Sequence, residues 1–88
     1  MAIWGMDVES VKQFALFAEQ KAESIESVIT EMKSSLESTQ WVGPDFDRFR
    51  NEWDSQYSQQ LRAAAEAMRS VSQVATQNAE QQTQASTG

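Results

Sequence analysis

Neither cysteine nor histidine occurs in this 88-residue chain, and it holds only three glycines and one proline. Without cysteine there can be no disulfide and no thiol nucleophile. Without histidine, a serine or threonine nucleophile lacks its usual general base, and the commonest metal-binding side chain is missing. So few glycines leave no Gly-rich loop to cradle phosphate. The scarcity of glycine and proline favours long unbroken helices over a turn-rich β architecture. No apolar run approaches the ~20 residues of a membrane-spanning helix. The opening Met1-Ala-Ile-Trp-Gly-Met-Asp7 has neither a basic nor an apolar leader region, so a Sec-type signal peptide is not expected. Export, if it occurs, would use another route.

Charge is also one-sided. Thirteen acids against seven bases leave a formal net charge of −6, and both halves of the chain are acidic. The lysines and arginines form no stripe, so neither nucleic acid nor an anionic membrane surface is an expected partner. An acidic surface serves solubility.

What is present is helical periodicity. Asp7 is suited to cap a helix, with Glu9 in the first turn to complement the helix dipole. Val11, Ala15, Ala18, Ala22, Ile25, Ile29, Met32 and Leu36 then alternate at spacings of four and three, an unbroken heptad seam. Phe14, Phe17 and Val28 widen the apolar face, and Glu9, Lys12, Glu19, Glu23, Glu26, Lys33 and Glu37 take the other side. This predicts a first helix over about 7–38 and a turn over 39–43.

In the turn, Gly43 can act as N-cap with Pro44 at the first helical position, where its missing N–H costs nothing. Asp45 and Asp47 follow in the first turn of a second helix, each three residues before an arginine, Arg48 and Arg50. Phe46, Phe49, Trp53, Tyr57, Leu61, Ala64, Met68, Val71, Ala75 and Asn78 continue a seam to about residue 79. Two four-residue steps fall together between Trp53 and Leu61, making an eleven-residue stretch from Trp53 to Ala64 that locally relaxes a left-handed supercoil. Residues 80–88 lack apolar periodicity and read as a flexible polar tail.

The predicted fold is all-α: an antiparallel helix-turn-helix hairpin over residues 1–79, one domain. A hairpin this small has little core of its own, and its apolar faces are wider than one stripe. Pairing two hairpins into a four-helix bundle would cover the rest. The expected core and dimer interface is Val11, Phe14, Ala18, Ala22, Ile25, Ile29, Met32, Leu36, Phe46, Phe49, Trp53, Tyr57, Leu61, Met68 and Val71.

Other functional readings are less economical. The aromatics Phe46, Phe49, Trp53 and Tyr57 stand at helical spacing and suit a core better than a ligand box. Glu19, Glu23 and Glu26 share a helix face, but bundle metal sites combine Glu with His, and a solvated acidic face is the better account. Asp45 and Asp47 fit the helix dipole rather than acid–base chemistry. No catalytic, cofactor or metal site is expected, and a two-helix hairpin lacks the concave pocket that enzymes use.

Trp41-Val42-Gly43 in the turn, followed by Pro44-Asp45-Phe46-Asp47-Arg48-Phe49-Arg50 and Trp53, resembles the WXG100 (ESAT-6-like) family of type VII secretion. The likeness covers nearly the whole chain, and the opening Trp4-Gly5-Met6-Asp7-Val8 is most similar to actinobacterial members. The resemblance implies a protein held in the cytoplasm, then secreted folded as a homo- or heterodimeric four-helix bundle through a complex driven by an FtsK/SpoIIIE-type ATPase. It implies that Trp41 and Gly43 form half of a composite export signal. The chain departs from the family at the other half, Tyr-x-x-x-Asp/Glu after the second helix. Its one tyrosine, Tyr57, lies inside that helix and is followed four residues on by Leu61. This leaves three roles: an export substrate beside a partner that carries the missing half, a cytosolic targeting chaperone for the helical N-terminus of a larger toxin, or a membrane-active effector. The acidic polar face argues against the last, because interfacial helices favour lysine and arginine there.

Overall fold

The computed structural model describes residues 6–87, with side chains through residue 85; Trp4-Gly5 and the final residue of the expected tail lie outside the described residues. Helix α1 spans Val8–Ser38, helix α2 Pro44–Glu52, a single π-helical turn Trp53–Tyr57, and helix α3 Ser58–Thr87. The last three follow one another without a break, so the fold is two long helices packed antiparallel. The molecule measures 65 × 18 × 17 Å with a radius of gyration of 19.7 Å. A compact globule of this length would have a radius of gyration near 12 Å. It is a rod, one helix pair thick.

Local signals set the ends of the first helix. The Asp7 carboxylate accepts a hydrogen bond from the Ser10 amide at 3.2 Å, satisfying one of the free N–H groups at the start of α1. At the other end Thr39 turns out of the helix, its amide donating to Leu36 and its hydroxyl to the Ser35 carbonyl at 2.7 Å. Pro44 opens α2 with Gly43 as N-cap, as the sequence predicts.

The far end of α3 differs from expectation. The helix does not stop near Ala79 but continues to Thr87. Residues 80–85 are glutamines, alanine, glutamate and threonine with no glycine or proline. Side chains of this kind sustain a helix once it has started, and apolar periodicity is not required for propagation.

The core is made of small residues. Ala15, Ala18, Ala22 and Ile29 are buried on α1, and Ser58, Ala65 and Ala79 on α3, with Trp53 buried at the π turn. Val11, Ile25 and Leu36 are half-buried along α1, and Leu61, Met68, Ser72 and Ala75 along α3. Alanine and serine at the contact let two helix backbones approach closely, which displaces larger side chains to the flanks.

On α3 every second place of the seam therefore falls one residue later than the sequence suggests, while Leu61, Met68 and Ala75 keep theirs. Ala65, Ser72 and Ala79 take the inward places expected for Ala64, Val71 and Asn78, and both Val71 and Asn78 are exposed. The cause is the π turn. The Ser58 amide bonds back to Trp53 across five residues, which inserts one extra residue into the helix and brings Ser58 to the seam in place of Tyr57. The eleven-residue spacing from Trp53 to Ala64 marks this place, but the phase change is taken up in one turn rather than spread along a supercoil. Ser58, brought inside by the shift, donates its hydroxyl to the Asp54 carbonyl at 3.2 Å, so its burial leaves no unpaired group.

A seam of this kind is intolerant of volume. Replacing Ala22, which is fully buried, by leucine should destabilise the hairpin by about 1–3 kcal/mol. Leu16→Ala, on the exposed far side of α1, should stay within about 0.5 kcal/mol of the parent. Thermal and urea unfolding followed by circular dichroism at one fixed concentration would check both. Equal midpoints for the two variants would refute a close-packed seam.

Candidate functional site

The turn is an aromatic cluster closed over by a glycine that only glycine can be. Gly43 has φ +129° and ψ 178°, the one positive φ among the described residues. A side chain there would meet no atom within 4 Å, so the constraint is the backbone conformation itself and not crowding. This conformation aims the Gly43 carbonyl at the Asp47 amide, 3.1 Å away, and starts α2 at once.

Trp41 stands beside it. Its ring meets Phe46 edge-on at 5.5 Å between centroids and Phe49 in a tilted contact at 5.7 Å. Phe49 in turn lies 6.2 Å from Tyr57. Phe46 and Phe49 are half-buried, but Trp41 keeps 40% of its surface exposed and Val42 keeps 95%. The tip thus presents apolar side chains that are held in place yet wet. Arg50 reaches Glu37 across the hairpin end at 3.9 Å, and no ion pair joins Asp45 to Arg48 or Asp47 to Arg50 among the described residues. The expected local pairs give way to one cross-helix pair.

Two unlike faces run along the hairpin from this tip. On the first, Phe14, Phe17, Val28 and Met32 of α1 lie on the same side as Val71 and Val74 of α3, and all six are exposed. Met6, Val11, Phe14, Val71, Val74 and Ala75 line a groove of about 510 Å³ at the end away from the turn. Nearer the turn, Phe49, Trp53, Tyr57 and Leu61 border a second groove, and Met32, Leu36, Trp41, Phe49 and Trp53 a third. Of the residues expected to form core or interface, Ala18, Ala22, Ile29 and Trp53 are buried within the hairpin. Val11, Ile25, Leu36, Phe46, Phe49, Leu61 and Met68 are half-buried, and Phe14, Met32, Tyr57 and Val71 lie exposed on this face.

The second face is polar. The Arg69 guanidinium grips both Glu26 carboxylate oxygens, at 2.7 and 2.8 Å, and its Nε donates to Glu19 at 3.2 Å. The Arg69 hydrogen bonds hold the Glu26 carboxyl below its ordinary value and the guanidinium above its own. Two of the three glutamates that the sequence offers as a solvated face are therefore a clamp between α1 and α3. Arg69 was not predictable as their partner from spacing, since the residues stand more than forty positions apart. Among the described residues no group of acids is arranged to hold a metal ion, and no helix is long and apolar enough to cross a membrane.

A scan against models of protein families, and searches of curated proteins and of solved structures, find no match to this chain.

Two outcomes are expected of this geometry. Gly43→Ala should cost about 1–3 kcal/mol of stability, because the backbone there is essentially closed to a residue with a β-carbon; urea unfolding would measure it, and a neutral substitution would mean that the turn rearranges freely. The clamp should also give the hairpin an acid limb. A carboxyl with a lowered folded-state value stabilises above its unfolded value and loses that contribution as pH falls through the lowered one. Melting temperature should therefore fall on acidification below about pH 4.5, the ordinary glutamate value, and Arg69→Met should flatten that fall. An identical pH profile in the variant would exclude the clamp as its source.

Proposed function

We propose that this chain is a WXG100-like hairpin of the type VII secretion pathway, acting without catalysis as an export substrate or co-substrate and as a pairing module. One observation carries the reading: Trp41-x-Gly43 occupies the turn of a two-helix antiparallel hairpin, with Trp41 held by Phe46 and Phe49 yet still exposed. A tryptophan fixed by neighbouring rings loses little entropy on docking, which suits a recognition element. The apolar face supports pairing with a second hairpin, identical or not, into a four-helix bundle. On this reading the protein is cytoplasmic before export, leaves without a cleaved signal peptide, and meets the secretion ATPase at its Trp41 end.

A second reading keeps the same face and changes the partner. The chain lacks Tyr-x-x-x-Asp/Glu, its one tyrosine being Tyr57 in the π turn. A hairpin with half of the export signal and an uncovered apolar face suits a targeting chaperone that binds the helical N-terminus of a larger toxin.

Trp41→Ala, expressed in the native host, should abolish appearance of the protein in the culture medium while leaving far-ultraviolet circular dichroism nearly unchanged. Secretion at the parental level would remove the signal reading. Wild type retained in the cell while a co-expressed toxin is exported would favour the chaperone.

A further inference from the structure

The apolar face of α1 carries a charged residue near its middle. Positions 14, 17, 21, 25 and 28 of α1 follow one another at three- and four-residue steps and form one ridge of the apolar face. Four of them are Phe14, Phe17, Ile25 and Val28; the fifth is Lys21. Its ammonium lies 4.8 Å from the centroid of the Phe17 ring, which is itself exposed. The cation–π contact therefore keeps the charge over the apolar surface rather than away from it.

The acids of the midsection are on the other side. Glu19 and Glu26 are held by Arg69, and Glu23 and Glu31 line a polar groove with Glu26. The facing ridge of α3 (Leu61, Ala64, Met68, Val71, Ala75) carries no ionisable group. Lys21 is also close to the midpoint of α1, which spans Val8–Ser38. A second copy laid along the full length, in either direction, would bring its own midsection to Lys21. That midsection offers an uncharged apolar surface or another Lys21. Covering an ammonium with no carboxylate to meet it is costly.

We propose that the apolar face is shaped for a different chain, an amphipathic helical partner whose own apolar face carries an aspartate or glutamate opposite Lys21. This rests on the face being a pairing surface, as proposed above, and names its partner. The like-charge penalty acts as the element that rejects self-pairing, and the cross-face ion pair as the one that selects the partner.

The test uses the full chain and one defined probe, its Lys21→Glu variant, which presents the same apolar face with an acid in the middle. Sedimentation equilibrium should give wild-type self-association at least about tenfold weaker than that of Lys21→Leu, in line with removal of an unpaired charge from a covered face. An equimolar mixture of wild type and Lys21→Glu should form a mixed dimer at concentrations where neither alone does, and added salt should weaken it. Wild type that dimerises as tightly as Lys21→Leu would overturn the proposal, as would a mixture that behaves as the average of its components. Lys21→Met serves in place of the leucine variant if circular dichroism finds the latter misfolded. The Trp41→Ala secretion result bears on export alone, so either reading can fail without the other.

Discussion

Everything in this molecule follows from how closely its two helices approach. Ala15, Ala18 and Ala22 on one side, with Ala65, Ser72 and Ala79 on the other, leave room for little between the backbones. Among the described residues no large side chain is fully buried. Two helices in contact along the length of α1, about 46 Å, can be held by such a seam because close backbone contact recovers dispersion along all of it. The cost is that few bulky apolar residues fit inside, Ile29 and Trp53 being the buried ones among the described residues. Phe14, Phe17, Val28, Met32, Val71 and Val74 stay exposed on one flank with Lys21 among them, and Leu16 stays exposed on the other. The tight seam and the exposed face are thus one fact seen from two sides.

The π turn reconciles the seam with the tip. Before it, Phe46 and Phe49 meet Trp41 of the turn and Trp53 is buried; after it, Ser58, Ala65 and Ala79 are buried. An ideal α-helix could not present both sets to the same neighbour, because their spacing is out of phase by one residue. One extra residue in the backbone corrects the phase and leaves Tyr57 on the exposed side next to Phe49. A helix that served only to close the hairpin would need no such correction. Here it lets an aromatic tip and an alanine seam coexist on one continuous helix.

The polar face supplies what alanines cannot. A seam rich in small side chains specifies register less sharply than interlocking large ones would. Arg69, reaching Glu19 and Glu26 from the opposite helix with fixed planar geometry, is satisfied at one register only. Gly43 acts in the same direction from the end, fixing the turn through a conformation no other residue adopts readily. Packing brings the helices together, and these two devices choose how.

The fold class was legible in the amino-acid sequence because helix signals are local. The Asp7 cap, the Gly43-Pro44 start and the alternating seam of α1 each depend on residues within a turn or two of one another. The turn aromatics were legible for the same reason. Three things were not. The phase shift at Trp53–Tyr57 left a trace in the spacing, but whether a helix absorbs it smoothly or in one π turn depends on what the opposite helix will accommodate. The end of α3 at Thr87 reflects propagation from a formed helix, which apolar periodicity does not report. The Arg69 clamp joins residues far apart in the chain, and no local pattern distinguishes Arg69 from Arg62 as the partner of Glu26. Sequence alone determined that there would be two amphipathic helices and where they would turn. Tertiary packing decided which side chains the helices would share and which they would leave outside, because that depends on the distance between backbones, and no single helix contains that distance.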